Sequence, residues 1–137
     1  MPEDVPAAKP VEIPHAAPLR FAQMQQRLPD GTTIVHAQVP SDCPIVSAGR
    51  VNGAWLIEIG AQAAAAFQGT GSGHAVRTGR LVGIRDWQGA TSFAAGSELR
   101  VEVSIITDLG TLTAFAIRIQ DQDTCLASGE LQVHREA

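Results

Sequence analysis

Two stretches near the C-terminus alternate strictly between apolar and polar residues. Leu99, Val101, Val103 and Ile105 alternate with Arg100, Glu102 and Ser104, and Thr113, Phe115, Ile117 and Ile119 repeat the pattern after a turn at Asp108-Leu109-Gly110. A period of two is the signature of a half-buried strand, because successive side chains point to opposite faces of a sheet. Asp121–Thr124 supplies another turn, and Cys125–Val133 is a predicted last strand. Upstream, Arg80–Trp87 reads as a strand, and Thr32–Val39, rich in β-branched residues, reads as another after the Asp30-Gly31 turn signal. Arg20–Arg27 fits either a short helix or a strand.

The segment Ala54 to Phe67, AWLIEIGAQAAAAF, follows neither the period of a strand nor that of a surface helix. It is apolar on every side except at Glu58 and Gln62. Asn52 suits an N-cap and Gly69 a terminator. A helix that is hydrophobic all round belongs inside a protein or a membrane. This one falls short of the roughly 20 residues needed to span a bilayer, and it carries a carboxylate. It is therefore a core helix, and almost everything available to enclose it is β. One long buried helix and about five or six antiparallel strands predict an α+β domain whose sheet curls round the helix.

The first 18 residues are of another kind. Pro2, Pro6, Pro10, Pro14 and Pro18 recur among alanines, which rules out a sustained helix and predicts an extended arm. A single domain over residues 19–137 follows, with regular structure beginning near Leu19. The 137-residue length is that of one domain. A net charge of -4 gives no basic footprint for nucleic acid. Cys43 and Cys125 form neither a disulfide framework nor a zinc-site spacing, so both are expected as buried free thiols. No His/Cys/Asp/Glu cluster has metal-ligand spacing, and neither a metal nor a cofactor is implied. The chain shows no secretory signal pattern and no spanning run, which predicts a cytoplasmic protein that does not engage a membrane.

Chemistry is concentrated on the core helix. Glu58 and Gln62 stand at i and i+4, on one face, with the small residues Ala61 and Ala65 beside them. A carboxyl group taken into apolar surroundings favours its protonated form, and a neutral acid can donate a proton in catalysis. The alternative is an ion pair of Glu58 with an arginine such as Arg85 or Arg100 at an interface. One turn before Glu58, the first helical amides, near Gly53 and Ala54, carry partial positive charge and would polarise a carbonyl placed there. Nine of the ten cationic residues are arginines, the side chain best suited to phosphate and carboxylate.

The run NGAWLIEIGAQAAAAF resembles the central-helix motif of β-hydroxyacyl-acyl carrier protein dehydratases, in which glycine, a few apolar residues and glutamate precede alanine-glutamine-alanine. IPHAAPL around His15 resembles the opening motif of that family, and GRLVGIRDW its first strand after the helix. The alignment is closest to the short dehydratases of aryl polyene pathways, which match GRVNGAWLIEIGAQAAAAF without a gap. The resemblance implies a hotdog fold, a curved antiparallel sheet wrapped round one helix, acting as a homodimer or a multiple of one. It implies Glu58 as the catalytic acid, Gly53 and Ala54 as amides that hold the thioester carbonyl, Gln62 as the family's pocket glutamine, and His15 as a support of the pocket mouth.

One departure concerns the base. Pro44, within CPIVS, stands where the housekeeping dehydratases carry a loop histidine. The aryl polyene type places a histidine at the end of the preceding strand, and His36 lies close to that position after an apparent two-residue insertion. His36 is thus the candidate base, the alternative being a strand histidine with an ordinary hydrogen bond. The implied reaction is dehydration of a 3-hydroxyacyl thioester delivered on acyl carrier protein or coenzyme A. Arg50, Arg77 and Arg80 are expected to ring the entrance and receive the acidic carrier. The alternatives are a hotdog thioesterase, with ionised Glu58 activating water, and a non-catalytic acyl-binding or scaffold subunit.

Overall fold

The computed structural model describes residues 7–11, 19–69 and 79–135. The helix, α1 (Trp55–Gly69), forms as its composition requires. Asn52 caps it, its side-chain oxygen accepting the Ala54 amide at 2.9 Å. Leu56, Ile59, Ala63, Ala64 and Ala66 are fully buried. Ile57, Glu58, Ala61 and Ala65 form the half-buried remainder. Gly60 is where the helix presses closest on the sheet: a Cβ there would stand 3.1 Å from a methyl of Leu131 and 3.2 Å from one of Ile117.

The strands are β1 (Lys9–Pro10), β2 (Ala22–Arg27), β3 (Thr33–Gln38), β4 (Val46–Ser47), β5 (Arg50–Asn52), β6 (Gly79–Gly89), β7 (Ser92–Ala94), β8 (Glu98–Asp108), β9 (Leu112–Asp121) and β10 (Thr124–Arg135). Seven of them make one sheet in the order β1-β2-β3-β8-β9-β10-β6, with every neighbouring pair antiparallel. The alternation read from the sequence sets which face is buried. Leu99, Val101 and Val103 of β8 and Phe115, Ile117 and Ile119 of β9 pack towards the helix, while Arg100 and Arg118 are exposed. Phe67 meets Phe115 edge-on at 5.5 Å between ring centroids, and Phe21 meets Trp55 at 6.0 Å, so each end of the helix is clamped by an aromatic pair.

Three expectations need correction. The sheet has one strand more than anticipated, because Lys9–Pro10, inside the proline-rich arm, pairs with Gln25 and Met24 of β2. Proline cannot donate to a ladder, and this two-residue strand lies at the sheet edge where that is tolerated. The ambiguous Arg20–Arg27 segment resolves as a strand, because pairing to β3 outweighs its local preference. Cys43 is buried but Cys125 is exposed. Among the described residues, no helix is long and apolar enough to cross a membrane.

A second, three-stranded sheet in the order β4-β5-β7 feeds the chain into the helix. Its ladder continues one residue further, as the Gly53 amide donates to the Thr91 carbonyl at 2.8 Å. Gly53 is packed so closely that a Cβ would lie 1.8 Å from the Ala90 carbonyl oxygen. The obstacle is backbone, which cannot swing aside as a flexible side chain would. Gly53→Ala is therefore expected to lower the melting temperature by about 5–10 °C, from an overpacking cost of about 1–3 kcal/mol. Thermal unfolding followed by circular dichroism checks this, and an unchanged midpoint would contradict the packing.

Candidate active site

The first turns of α1 place Glu58 and Gln62 one above the other, facing the strand that begins at Ala22. Gln62 is fully buried. Its Oε1 accepts the Phe21 amide at 2.8 Å and the Ala22 amide at 3.1 Å. Its Nε2 donates to the Leu19 carbonyl at 2.7 Å and to Glu58 Oε1 at 3.2 Å. Only this orientation of the amide satisfies all four groups, since the two backbone amides need an acceptor and the carbonyl and carboxyl need donors. A glutamine side chain has two donor hydrogens and two acceptor lone pairs, and every one is engaged. Gln62, expected to touch substrate, has no hydrogen-bonding capacity left for it. Its part is to hold the Glu58 carboxyl in place and to tie that part of the helix to the start of β2.

Glu58 is half-buried on the partly open stripe of the helix that also carries Ile57, Ala61 and Ala65. In front of the helix start lies a cavity of about 440 Å³ lined by Asn52, Gly53, Ala54, Ile57, Trp87, Gly89, Ala90 and Thr91. Ile57 connects this cavity to the stripe bearing Glu58. Trp87 forms the opposite wall, its ring tip 3.5 Å from where a Cβ on Gly60 would be. Sequence reasoning did not single out Trp87 or the Ala90-Thr91 backbone. The signal available was the tryptophan closing the GRLVGIRDW strand, a large side chain at a strand end beside a helix rich in small residues.

The donors at the helix start are distributed differently from expectation. The Gly53 amide is taken by Thr91 and the Ala54 amide by Asn52. Leu56 and Ile57 donate to the Gly53 and Ala54 carbonyls. Among the described residues, the first-turn amide left without an intrachain acceptor is that of Trp55. Any carbonyl polarised by the helix terminus would meet that amide, two residues beyond Gly53.

His36 is not brought to Glu58. Val35 and Ala37 point into the core, so His36, between them, emerges on the opposite face of the sheet. Its ring is one-third exposed, with Nδ1 3.5 Å from Glu98 Oε1. The sheet stands between it and the helix, and this is the arrangement of a strand histidine with a local partner. Arg50 and Arg80 are both exposed but belong to different regions: Arg50 donates to Ser92 Oγ at 2.8 Å beside the helix start, whereas Arg80 begins β6 opposite His134. His15 and Arg77 lie outside the described residues.

Comparison with solved structures places this architecture among hotdog proteins. The dehydratase heterocomplex ApeI:P from Xenorhabdus doucetiae is similar over 91% of this chain and 88% of that one, with a TM-score of 0.80 and 23% identity. A hypothetical thioesterase with coenzyme A from Streptococcus pneumoniae is similar over 82% and 84% of the two chains, with a TM-score of 0.62 and 12% identity. The PaaI protein of E. coli, from the phenylacetic acid degradation operon, is similar over 86% and 79%, with a TM-score of 0.62 and 14% identity. At such identities the structures establish the hotdog fold. Comparison with curated proteins finds no match. The model of the ApeP-like family, described as ApeP dehydratase, matches residues 9–137, which takes in the helix, the cavity and the whole seven-stranded sheet. The chain belongs to the ApeP-like family of dehydratases.

Proposed function

We propose that this dehydratase eliminates water from a 3-hydroxyacyl thioester carried on the phosphopantetheine arm of an acyl carrier protein. The observation that carries the reading is a carboxyl group, Glu58, fixed by Gln62 on the open stripe of a buried helix whose start faces a cavity. In the elimination, a base takes the proton alpha to the carbonyl and the electron pair forms the Cα=Cβ bond. The bond from Cβ to the hydroxyl oxygen breaks as Glu58, in its acid form, delivers a proton to it, and water leaves. The thioester oxygen gains negative charge on the way and is held at the helix start by the Trp55 amide.

The base is addressed by comparing two histidines. His36 faces away from the helix, and a partner that extends the same sheet would keep its own His36 on that outer face too. His15 stands in sequence four residues before Leu19, the residue that Gln62 ties to Glu58. We expect His36→Gln to keep most of its turnover and His15→Gln to lose it. The reverse result would return the base to His36.

The function itself is tested by incubating the protein with 3-hydroxyacyl carrier protein and following the acyl product by mass spectrometry. Loss of water with the thioester intact is the expected result. Release of free acid with no enoyl product would establish the thioesterase alternative.

For assembly, we propose a homodimer closed through β6. This strand is 11 residues long and ends the sheet order, so its outer edge has no strand beside it among the described residues. Leu81, Val82 and Ile84 are 36%, 52% and 43% exposed along it. A long apolar edge is a template for another strand, and an antiparallel second copy covers both edges with one self-complementary contact. The similarity to a heterocomplex supports hotdog chains meeting in this manner. Light scattering should give twice the chain mass for the wild type and a shift towards the single-chain mass for Ile84→Arg. A wild type that is monomeric alone, and pairs only with a different hotdog chain, would replace the homodimer with a heteromer.

A further inference from the structure

We propose that the surface receiving the acyl carrier is shared between two copies of this chain, each mouth being built from Arg50 of one protomer and Arg80 of the partner subunit. The proposal rests on the carrier and dimer readings above and says how they combine.

Within one protomer the two arginines serve different ends of the molecule. Arg50 precedes the cavity-lining Asn52 by two residues, and its guanidinium is fixed at the helix start by Ser92 at 2.8 Å. Arg80 is the second residue of β6, while the residues of β6 that line the cavity, Trp87 and Gly89, are at the other end of that strand. At about 3.3 Å per residue, Arg80 lies roughly 30 Å from Gly89, somewhat less with the bulges in the strand. No arginine side chain spans that distance, so Arg80 cannot serve its own protomer's mouth.

A two-fold axis changes this. When a strand pairs antiparallel with its own copy, residues near its start come to lie beside residues near the partner's end. Leu81, Val82 and Ile84 occupy the early and middle part of β6 and are the exposed apolar residues such a contact covers, which sets the axis near the middle of the strand. The partner's Arg80 then arrives beside Trp87–Gly89, at the cavity that Arg50 already borders. A shift of two residues in register moves it by only about 7 Å, within reach of a flexible guanidinium. The ligand chemistry is anionic: a phosphodiester on the arm and carboxylates on the carrier, which guanidinium groups recognise in bidentate fashion. A protein of net charge -4 needs such a local basic pair to attract an acidic partner.

The test uses full-length protein carrying two different affinity tags, so that mixed dimers can be purified. Arg50→Glu and Arg80→Glu homodimers should each raise the KM for carrier-bound substrate about tenfold more than the KM for a pantetheine thioester analogue, most clearly at low salt. The decisive species is the mixed dimer with Arg50→Glu in one chain and Arg80→Glu in the other. If the mouth is shared between copies, one mouth keeps both arginines and the other loses both, giving about half the wild-type kcat at the wild-type KM. If each mouth used both arginines of one chain, every mouth would carry a reversal and no wild-type KM would survive, which would overturn the proposal. Wild-type KM in the Arg80→Glu homodimer, or equal losses on carrier and analogue, would also overturn it. A wild type with no preference for carrier over analogue would instead show that the carrier reading itself has failed, and a monomeric wild type that the dimer reading has.

Discussion

Glu58→Gln should reduce the kcat for dehydration by about 10³-fold while leaving the fold in place. The replacement has the same shape, and its amide oxygen can still accept the Gln62 Nε2 hydrogen bond that Glu58 Oε1 accepts at 3.2 Å. What it lacks is a proton that can be given to a departing hydroxyl. Chemistry and architecture are therefore separable at this position. Single-turnover measurement of enoyl product, with thermal unfolding of the same preparation, gives both readouts. A variant with wild-type unfolding and near-wild-type turnover would remove Glu58 from the reaction and return it to a structural role.

Gln62→Leu should have the largest effect on stability. The leucine fills similar space but strips the partners from the Phe21 and Ala22 amides and from the Leu19 carbonyl. Phe21 and Ala22 are fully buried, so water cannot replace what is lost. At about 1–3 kcal/mol for each stranded group, the total cost is at least about 3 kcal/mol, and the melting temperature should fall by more than about 10 °C. Gln62→Glu is the informative companion. It still offers an acceptor to the Phe21 and Ala22 amides, so it should be more stable than Gln62→Leu. It also sets a second carboxyl against Glu58 and removes the donor that orients it, so turnover should remain low. A Gln62→Leu protein that melts within a degree or two of wild type would mean that these four hydrogen bonds contribute little.

The sequence by itself determined the elements and the address of the chemistry. Fourteen nearly uninterrupted apolar residues around Glu58 and Gln62 admit only a core helix, because no other arrangement removes all sides of such a segment from water. The alternation in Leu99–Ile105 and Thr113–Ile119 carries its own period, so those strands and their buried faces followed directly. The i, i+4 spacing placed Glu58 and Gln62 together, since helix geometry is local. Tertiary structure decided everything that depends on partners distant in the chain. The Phe21 amide that engages Gln62 is 41 residues away, and the Thr91 carbonyl takes an amide that local reasoning leaves open for a ligand. Strand parity decided His36: its pairing with Met24 and Arg100 fixes Val35 and Ala37 as the inward residues, and a one-residue difference sends a strand side chain to the opposite face. Strand order decided the edge. Because β6 joins the sheet beyond β10, rather than next to the strand before it in sequence, its far side is open and Arg80 stands at the end of the strand remote from its own cavity. Local periods record which residues want burial. Register, edge and hydrogen-bond partner are set only when segments far apart in sequence compete for the same groups in space.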